Sequence, residues 1–226
     1  MAYIIAFEGI DGTGKGTQAR LLHERLTALG KRCLELSFPN YDSFLGKEIG
    51  ALLSGRHKTT AATLDPRSMA LWFAAERFHT FRNIHSLDYD FIILNRYVLS
   101  NVVYQSLRVE PAARALFSNW VLELEHEQFG LPRPDICFVF DVDESLSAAN
   151  VSQKGYRGYI GEEPDVYESS CITQTSARKA YRELARQIEG AVLIECMDDT
   201  GLMRPTSEIA DVVIDKVSSA MGLGRI

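Results

Sequence analysis

The sequence predicts a layered α/β fold, a five-stranded parallel sheet flanked by helices, and three observations carry that prediction. Short runs rich in β-branched and aromatic residues recur at 3–7, 33–38, 91–94, 136–141 and 191–195. Longer stretches of helical character separate them, and strands alternating with helices are the pattern of a parallel sheet covered on both faces. At 226 residues, 46% of them hydrophobic, the chain can bury one sizeable core but would have to split it thinly between two. A single domain over 1–226 is therefore expected.

The elements follow in order. Strand 3–7 (Y-I-I-A-F) runs into a glycine-rich turn and a helix over 15–29. Strand 33–38 is followed by helices over 44–53 and 66–85, which open after Ser43 and Asp65. Strand 91–94 is wholly apolar, and a helix is predicted over 112–127. Strand 136–141 leads to a segment, about 150–170, with three glycines, one proline and few aliphatic residues. A loop of that length inside a compact domain is usually functional, and this one reads as a lid. Helix 172–188, strand 191–195 and helix 206–221 complete the chain.

A net charge of −6 weighs against a nucleic-acid coat, because affinity for a phosphate backbone comes from clustered Lys and Arg. Any phosphate site must be local. No apolar run approaches the ~18 residues of a membrane helix, and Glu8 follows the first strand too closely for a signal peptide. The four cysteines form no C-x-x-C pair, so reduced thiols and a cytoplasmic location are expected. The five histidines show no metal-ligand spacing.

The segment Gly9-Ile10-Asp11-Gly12-Thr13-Gly14-Lys15-Gly16-Thr17 is G-x-x-x-x-G-K between a strand and a helix. Gly9, Gly12, Thr13, Gly14, Gly16 and Thr17 would let backbone N–H groups curl around phosphates. The helix N-terminus adds positive potential, and Lys15 supplies a cation for the β and γ phosphates. A glycine-rich turn without chemistry is the alternative, and the strand–turn–helix context disfavours it. The fold is thus the three-layer P-loop NTPase type, with ATP as the expected ligand. Gly16 stands where a hydroxyl residue usually follows the lysine, so Thr17 would reach Mg²⁺ through water if at all.

Further blocks narrow the class. Phe38-Pro39 with Tyr41, the helix Trp72-Phe73-Ala74-Ala75-Glu76-Arg77, Asn95-Arg96-Tyr97 with Ser100, Asn101 and Tyr104, Leu131-Pro132-Arg133-Pro134-Asp135, and Asp165-Val166-Tyr167-Glu168 follow the P-loop in order. Together they resemble the thymidylate kinase family. The resemblance implies transfer of a phosphoryl group from ATP to deoxythymidine monophosphate (dTMP), with Mg²⁺, commonly in a homodimer. It implies that Phe73 stacks on thymine and Arg77, one turn on, donates to a base carbonyl; Phe73 alone would read as a core aromatic. By the same resemblance Asp11 binds the sugar 3′-hydroxyl, Tyr104 rejects a ribose, Asn101 reaches the pyrimidine edge, and Phe38, Tyr41 and Tyr167 line the acceptor site. Arg96 would bridge donor and acceptor phosphates.

Two positions depart from the family pattern. Asn95 stands where an aspartate is usual, which removes a carboxylate near the metal. A monophosphate acceptor tolerates this, because its second pKa is about 6 and no general base is needed. In the lid, Arg157 is the expected catalytic cation, its planar fork able to span two oxygens, with Lys154 the other candidate. A kinase for another deoxypyrimidine monophosphate and a catalytically impaired nucleotide-binding regulator remain the alternatives.

Overall fold

A computed structural model describes residues 2–55, 58–152, 166–167 and 171–222. The five strands are β1 Tyr3–Glu8, β2 Cys33–Ser37, β3 Phe91–Asn95, β4 Ile136–Asp141 and β5 Ala191–Glu195. They form one parallel sheet in the order β2-β3-β1-β4-β5. The order reverses at β1, and ligands bind at such switch points beyond the carboxyl ends of the strands.

Both faces of the sheet are covered, which is why the strands read as nearly continuous apolar runs. Ile5, Phe7, Ile93, Phe138 and Phe140 point to one face and pack with Leu22 and Leu26 of α1 (Lys15–Ala28) and Val213 and Val217 of α8 (Thr206–Ala220). Ile4, Ala6, Ile92, Leu94 and Val139 point to the other. That side is covered by α3 (Pro66–Phe81), α4 (Val98–Ser106), α5 (Arg114–Leu122) and α7 (Cys171–Ala185). Each fully buried side chain of this size stabilises the fold by about 1.5–3 kcal/mol. The two remaining helices are α2 (Phe44–Leu53) and α6 (Glu144–Ser152).

Local chemistry fixes several starts. Ser43 caps α2 by accepting from the Gly46 N–H at 2.9 Å. Asp65 caps α3 through the N–H groups of Arg67 and Ser68, at 3.0 and 3.1 Å, with Pro66 at the first helical position.

Four expectations need correction. The helix predicted to residue 85 ends at Phe81. The single helix predicted over 112–127 is a 3₁₀ turn at Pro111–Ala113, then α5, then a π-helical turn at Glu123–Gln128. Helices α4 and α6 were not foreseen: α4 is rich in β-branched and aromatic residues, and its own N-cap residue, Tyr97, supplies no side-chain cap. The predicted lid starts inside α6; of its residues after Ser152 only Val166 and Tyr167 are described, and Lys154, Arg157 and Asp165 lie outside the described residues.

Candidate active site

The loop from β1 to α1 is held open by glycine. Gly9 and Gly12 have φ of 136° and 76°, and a Cβ on Gly9 would come within 2.6 Å of the Phe140 carbonyl oxygen. A Cβ on Gly12 would run into the Ser147 backbone of α6. Helix α6 in turn secures the loop, with Ser147 Oγ donating to the Asp11 carbonyl and Asn150 Nδ2 donating to that of Gly12 at 2.9 Å. Lys15 is buried and folds back into the loop, its Nζ donating to the Ile10 carbonyl at 2.5 Å and lying 3.3 Å from Thr13 Oγ1. Gly16 and Thr17 form the exposed first turn of α1.

Parallel pairing aligns Phe7 with Asn95, so the residues after β1 and β3 meet at one edge. Arg96 takes φ of 64°, in the left-handed region that non-glycine residues seldom adopt. Its Nη2 donates to Asp11 Oδ1 at 2.5 Å, and its Nη1 donates to Ser100 Oγ at 3.1 Å and to the Gly9 carbonyl at 3.4 Å. The guanidinium also lies 5.6 Å from the Tyr104 ring centre. Burial works against its charge, but Asp11, Tyr104, Tyr181 and Glu8 outweigh that and hold Arg96 well above the usual arginine value. Tyr104 OH donates to Asp11 Oδ2 at 3.2 Å and stacks on Tyr167 with ring centres 5.5 Å apart. Of the expected site residues, Asp11, Arg96, Tyr104 and Tyr167 thus form one contact network, and Lys15 lies in the adjoining loop.

The residues expected to recognise the base occupy the next layer. Arg77 and Glu125 are fully buried and form a bidentate pair, with both N–H···O distances 2.6 Å. Burial again opposes the charge of Arg77, and Glu125 overrides it, raising the arginine further. Asn101 Nδ2 donates to Glu125 Oε1 at 2.7 Å and to the Ala70 carbonyl at 3.0 Å. Its Oδ1 is buried without a partner among the described residues. Phe73 and Tyr41 are half-buried at the edge of the same apolar cluster. Phe38 is buried and stacks on Phe81 at 6.0 Å, and it precedes a cis peptide to Pro39.

For the metal, no group of three His, Cys, Asp or Glu ligands occurs among the described residues. Asn95 Nδ2 donates to Ser37 Oγ at 3.2 Å, and its Oδ1 is buried without a partner among the described residues. A Cβ on Gly16 would sit 3.4 Å from Asn95 Nδ2, so these two positions are neighbours. Such neutral oxygen donors suit a cation that keeps much of its water and binds mainly through phosphate, as Mg²⁺ does.

Sequence reasoning missed three residues. Glu8, wholly buried, contacts the start of α4, and its signal was a carboxylate ending an otherwise apolar strand. Glu125 was hidden in the charged run E-L-E-H-E-Q. Gln174 Nε2 lies 3.5 Å from Asp11 Oδ2 and donates to the Tyr167 carbonyl at 3.1 Å, with no sequence signal at all.

Comparison with known proteins gives a consistent result. The family model described as "Thymidylate kinase" matches residues 7–200. A thymidylate kinase of Mycobacterium tuberculosis is 33% identical over 187 residues, covering 81% of this chain and 86% of the relative. A probable thymidylate kinase of Methanococcus maripaludis is 40% identical over 218 residues, covering 96% and 98%. The solved thymidylate kinase of Candida albicans superposes with a TM-score of 0.73 over 97% of this chain and 92% of that one, at 20% identity, which speaks to the fold.

Proposed function

This chain belongs to the thymidylate kinase family, and from that premise we propose that the cleft at the carboxyl ends of β1 and β3 transfers the γ-phosphoryl group of ATP to dTMP. The observation that carries the acceptor assignment is the buried Oδ1 of Asn101, without a partner among the described residues, on a side chain that shares Glu125 with Arg77. It can accept from the N3–H of thymine, while Arg77 turns its remaining Nη1 toward the neighbouring carbonyl. Cytosine presents an acceptor at N3 and would leave two acceptors facing each other, a mismatch that sites built on hydrogen bonding reject strongly. Phe73 covers the ring, and Asp11 takes the 3′-hydroxyl while Tyr104 closes the space at C2′. Phe38 and Tyr41 line the acceptor site, and Tyr41 offers a hydroxyl to the acceptor phosphate.

In-line transfer needs alignment and neutralisation of charge rather than covalent help. The backbone of Gly9, Gly12, Thr13, Gly14, Gly16 and Thr17 cradles the donor phosphates. Lys15 leaves its loop carbonyl for the β and γ oxygens, and Arg96 is held at the junction of donor and acceptor. Arg157 of the lid supplies a further cation in this reading. Asn95 Oδ1 and Thr17 Oγ1 would hold Mg²⁺ through its water, and the ion's contribution is to neutralise phosphate charge. The acceptor phosphate is largely ionised at neutral pH and needs no base.

A homodimer is supported by exposed apolar side chains on adjoining helices, Leu71 and Phe78 of α3 and Leu116 of α5. The free thiols Cys33, Cys137 and Cys196 favour the cytoplasm, and no described helix is long and apolar enough to cross a membrane. ADP formation from Mg-ATP, followed with a panel of nucleoside monophosphates and free nucleosides, tests the assignment. Preference for dTMP over dCMP, lost in Lys15→Ala, is expected. Nucleotide binding without turnover on any acceptor would instead mean a regulator.

A further inference from the structure

Helix α4 begins immediately after Arg96, and its start has an unusual cap. In an ordinary helix the N-cap side chain accepts from the N–H three positions on, and in a capping box a carboxylate reaches back to the N–H of the N-cap itself. Tyr97, the N-cap of α4, does neither. Both tasks fall to one oxygen of Glu8, on a different strand: Oε1 accepts from the Tyr97 N–H at 2.8 Å and the Ser100 N–H at 3.1 Å. The second oxygen, Oε2, accepts from Ser100 Oγ at 2.5 Å and lies 3.3 Å from Tyr181 OH on α7. Four donors surround a fully buried group that only accepts when ionised, three of them on the first turn of α4 and the fourth on α7.

That turn carries Arg96. Ser100 Oγ donates its proton to Glu8 and accepts from Arg96 Nη1 at 3.1 Å. Tyr181 OH stands 2.9 Å from the same Ser100 oxygen. The backbone at Arg96 sits at φ of 64°, a conformation that persists only where its surroundings enforce it. The Tyr97 N–H bound to Glu8 is the next amide along, and the Arg96 N–H donates to the Phe7 carbonyl at 2.9 Å. The turn is therefore anchored to the last two residues of β1 on either side of the strained residue.

We propose that Glu8 is a positioning residue for the phosphoryl transfer: by capping α4 from the end of β1 and orienting Ser100, it holds Arg96 in its working conformation and ties it to α7. The inference rests on the proposed role of Arg96. The partners of Glu8 are Tyr97, Ser100 and Tyr181, none of them in the phosphate loop. Its effect on rate must pass through Arg96, whereas its effect on stability need not.

A double-mutant cycle in the full chain separates the two. Glu8→Ala is expected to lower kcat by about 30-fold or more in the wild-type background, with KM for ATP within about 3-fold. In the Arg96→Ala background the same change should alter kcat by less than about 3-fold, while lowering Tm as much as it does in wild type. Glu8→Gln, which keeps an oxygen for the two backbone donors, should recover most of the rate. If Glu8→Ala does not fold, Ser100→Ala cuts the same link, with an expected loss of about 5-fold that vanishes without Arg96. A rate loss of equal size in both backgrounds, or none in wild type, overturns the inference while an impaired Arg96→Ala leaves the site reading standing. Near-normal turnover of Arg96→Ala overturns both.

Discussion

Removing Glu125 should expose how much the base-recognition layer depends on one buried ion pair. Arg77 is 2% and Glu125 0% exposed, and two 2.6 Å bonds join them, so neither charge has water to fall back on. Glu125→Ala leaves the guanidinium buried and unpaired, which costs about 3–5 kcal/mol. It also deprives Asn101 Nδ2 of a 2.7 Å charge-assisted bond, adding about 1 kcal/mol. The total, about 4–6 kcal/mol, is a large share of the ~5–15 kcal/mol that holds a domain together. For a chain of 226 residues, at ~2–4 °C per kcal/mol, Tm should fall by roughly 10–20 °C. Urea unfolding followed by circular dichroism gives the free energy directly. The double variant Arg77→Met with Glu125→Leu removes both charges and should regain most of the loss, since replacing a buried pair by apolar residues is often neutral. A single variant within about 1 kcal/mol of wild type would refute the reasoning, as would a double variant no better than the single.

Three further outcomes follow from the site. Lys15→Ala should lower kcat by at least about 100-fold, read in a coupled ADP assay, because a cation aimed at the transferring group is lost. Asn95→Asp places a carboxylate where Oδ1 now lacks a partner, so the Mg²⁺ concentration giving half-maximal rate should fall; an unchanged titration would mean that this oxygen lies off the metal's path. Burial pushes the His126 imidazole below its usual value, and its Nδ1 lies 2.9 Å from the Leu131 carbonyl. Between the lowered value and about 6.5 the unfolded chain binds the proton and the folded chain does not, so stability rises with pH through that window and falls on acidification. His126→Gln should flatten the dependence of Tm on pH just below about 6.5, and an unaltered slope would assign the dependence to other groups.

The fold and the phosphate loop were legible because their determinants are local or repeated. The central strands β1, β3 and β4 are buried on both faces and so announce themselves as apolar runs, and the glycines of the loop act within nine residues of sequence. The helices that escaped reading failed for a physical reason. Helix α4 takes its cap from Glu8, 92 residues before Ser100, and no window of sequence contains both. Arg77 was legible as a residue, yet its partner lies 48 residues on, turned inward by a π-helical turn that the charged run E-L-E-H-E-Q conceals. Gly16 and Asn95 are neighbours, a Cβ on Gly16 standing 3.4 Å from Asn95 Nδ2, which makes their consequence for the metal a single question. Residues that touch phosphate sit where the chain's own conformation presents them, so a motif records them. Residues that fix that conformation are chosen by what the fold brings beside them, and the motif records only their type. Glu8 belongs to the second group: its place next to the phosphate loop is plain in the sequence, but its contacts with Tyr97 and Ser100 come only from the fold.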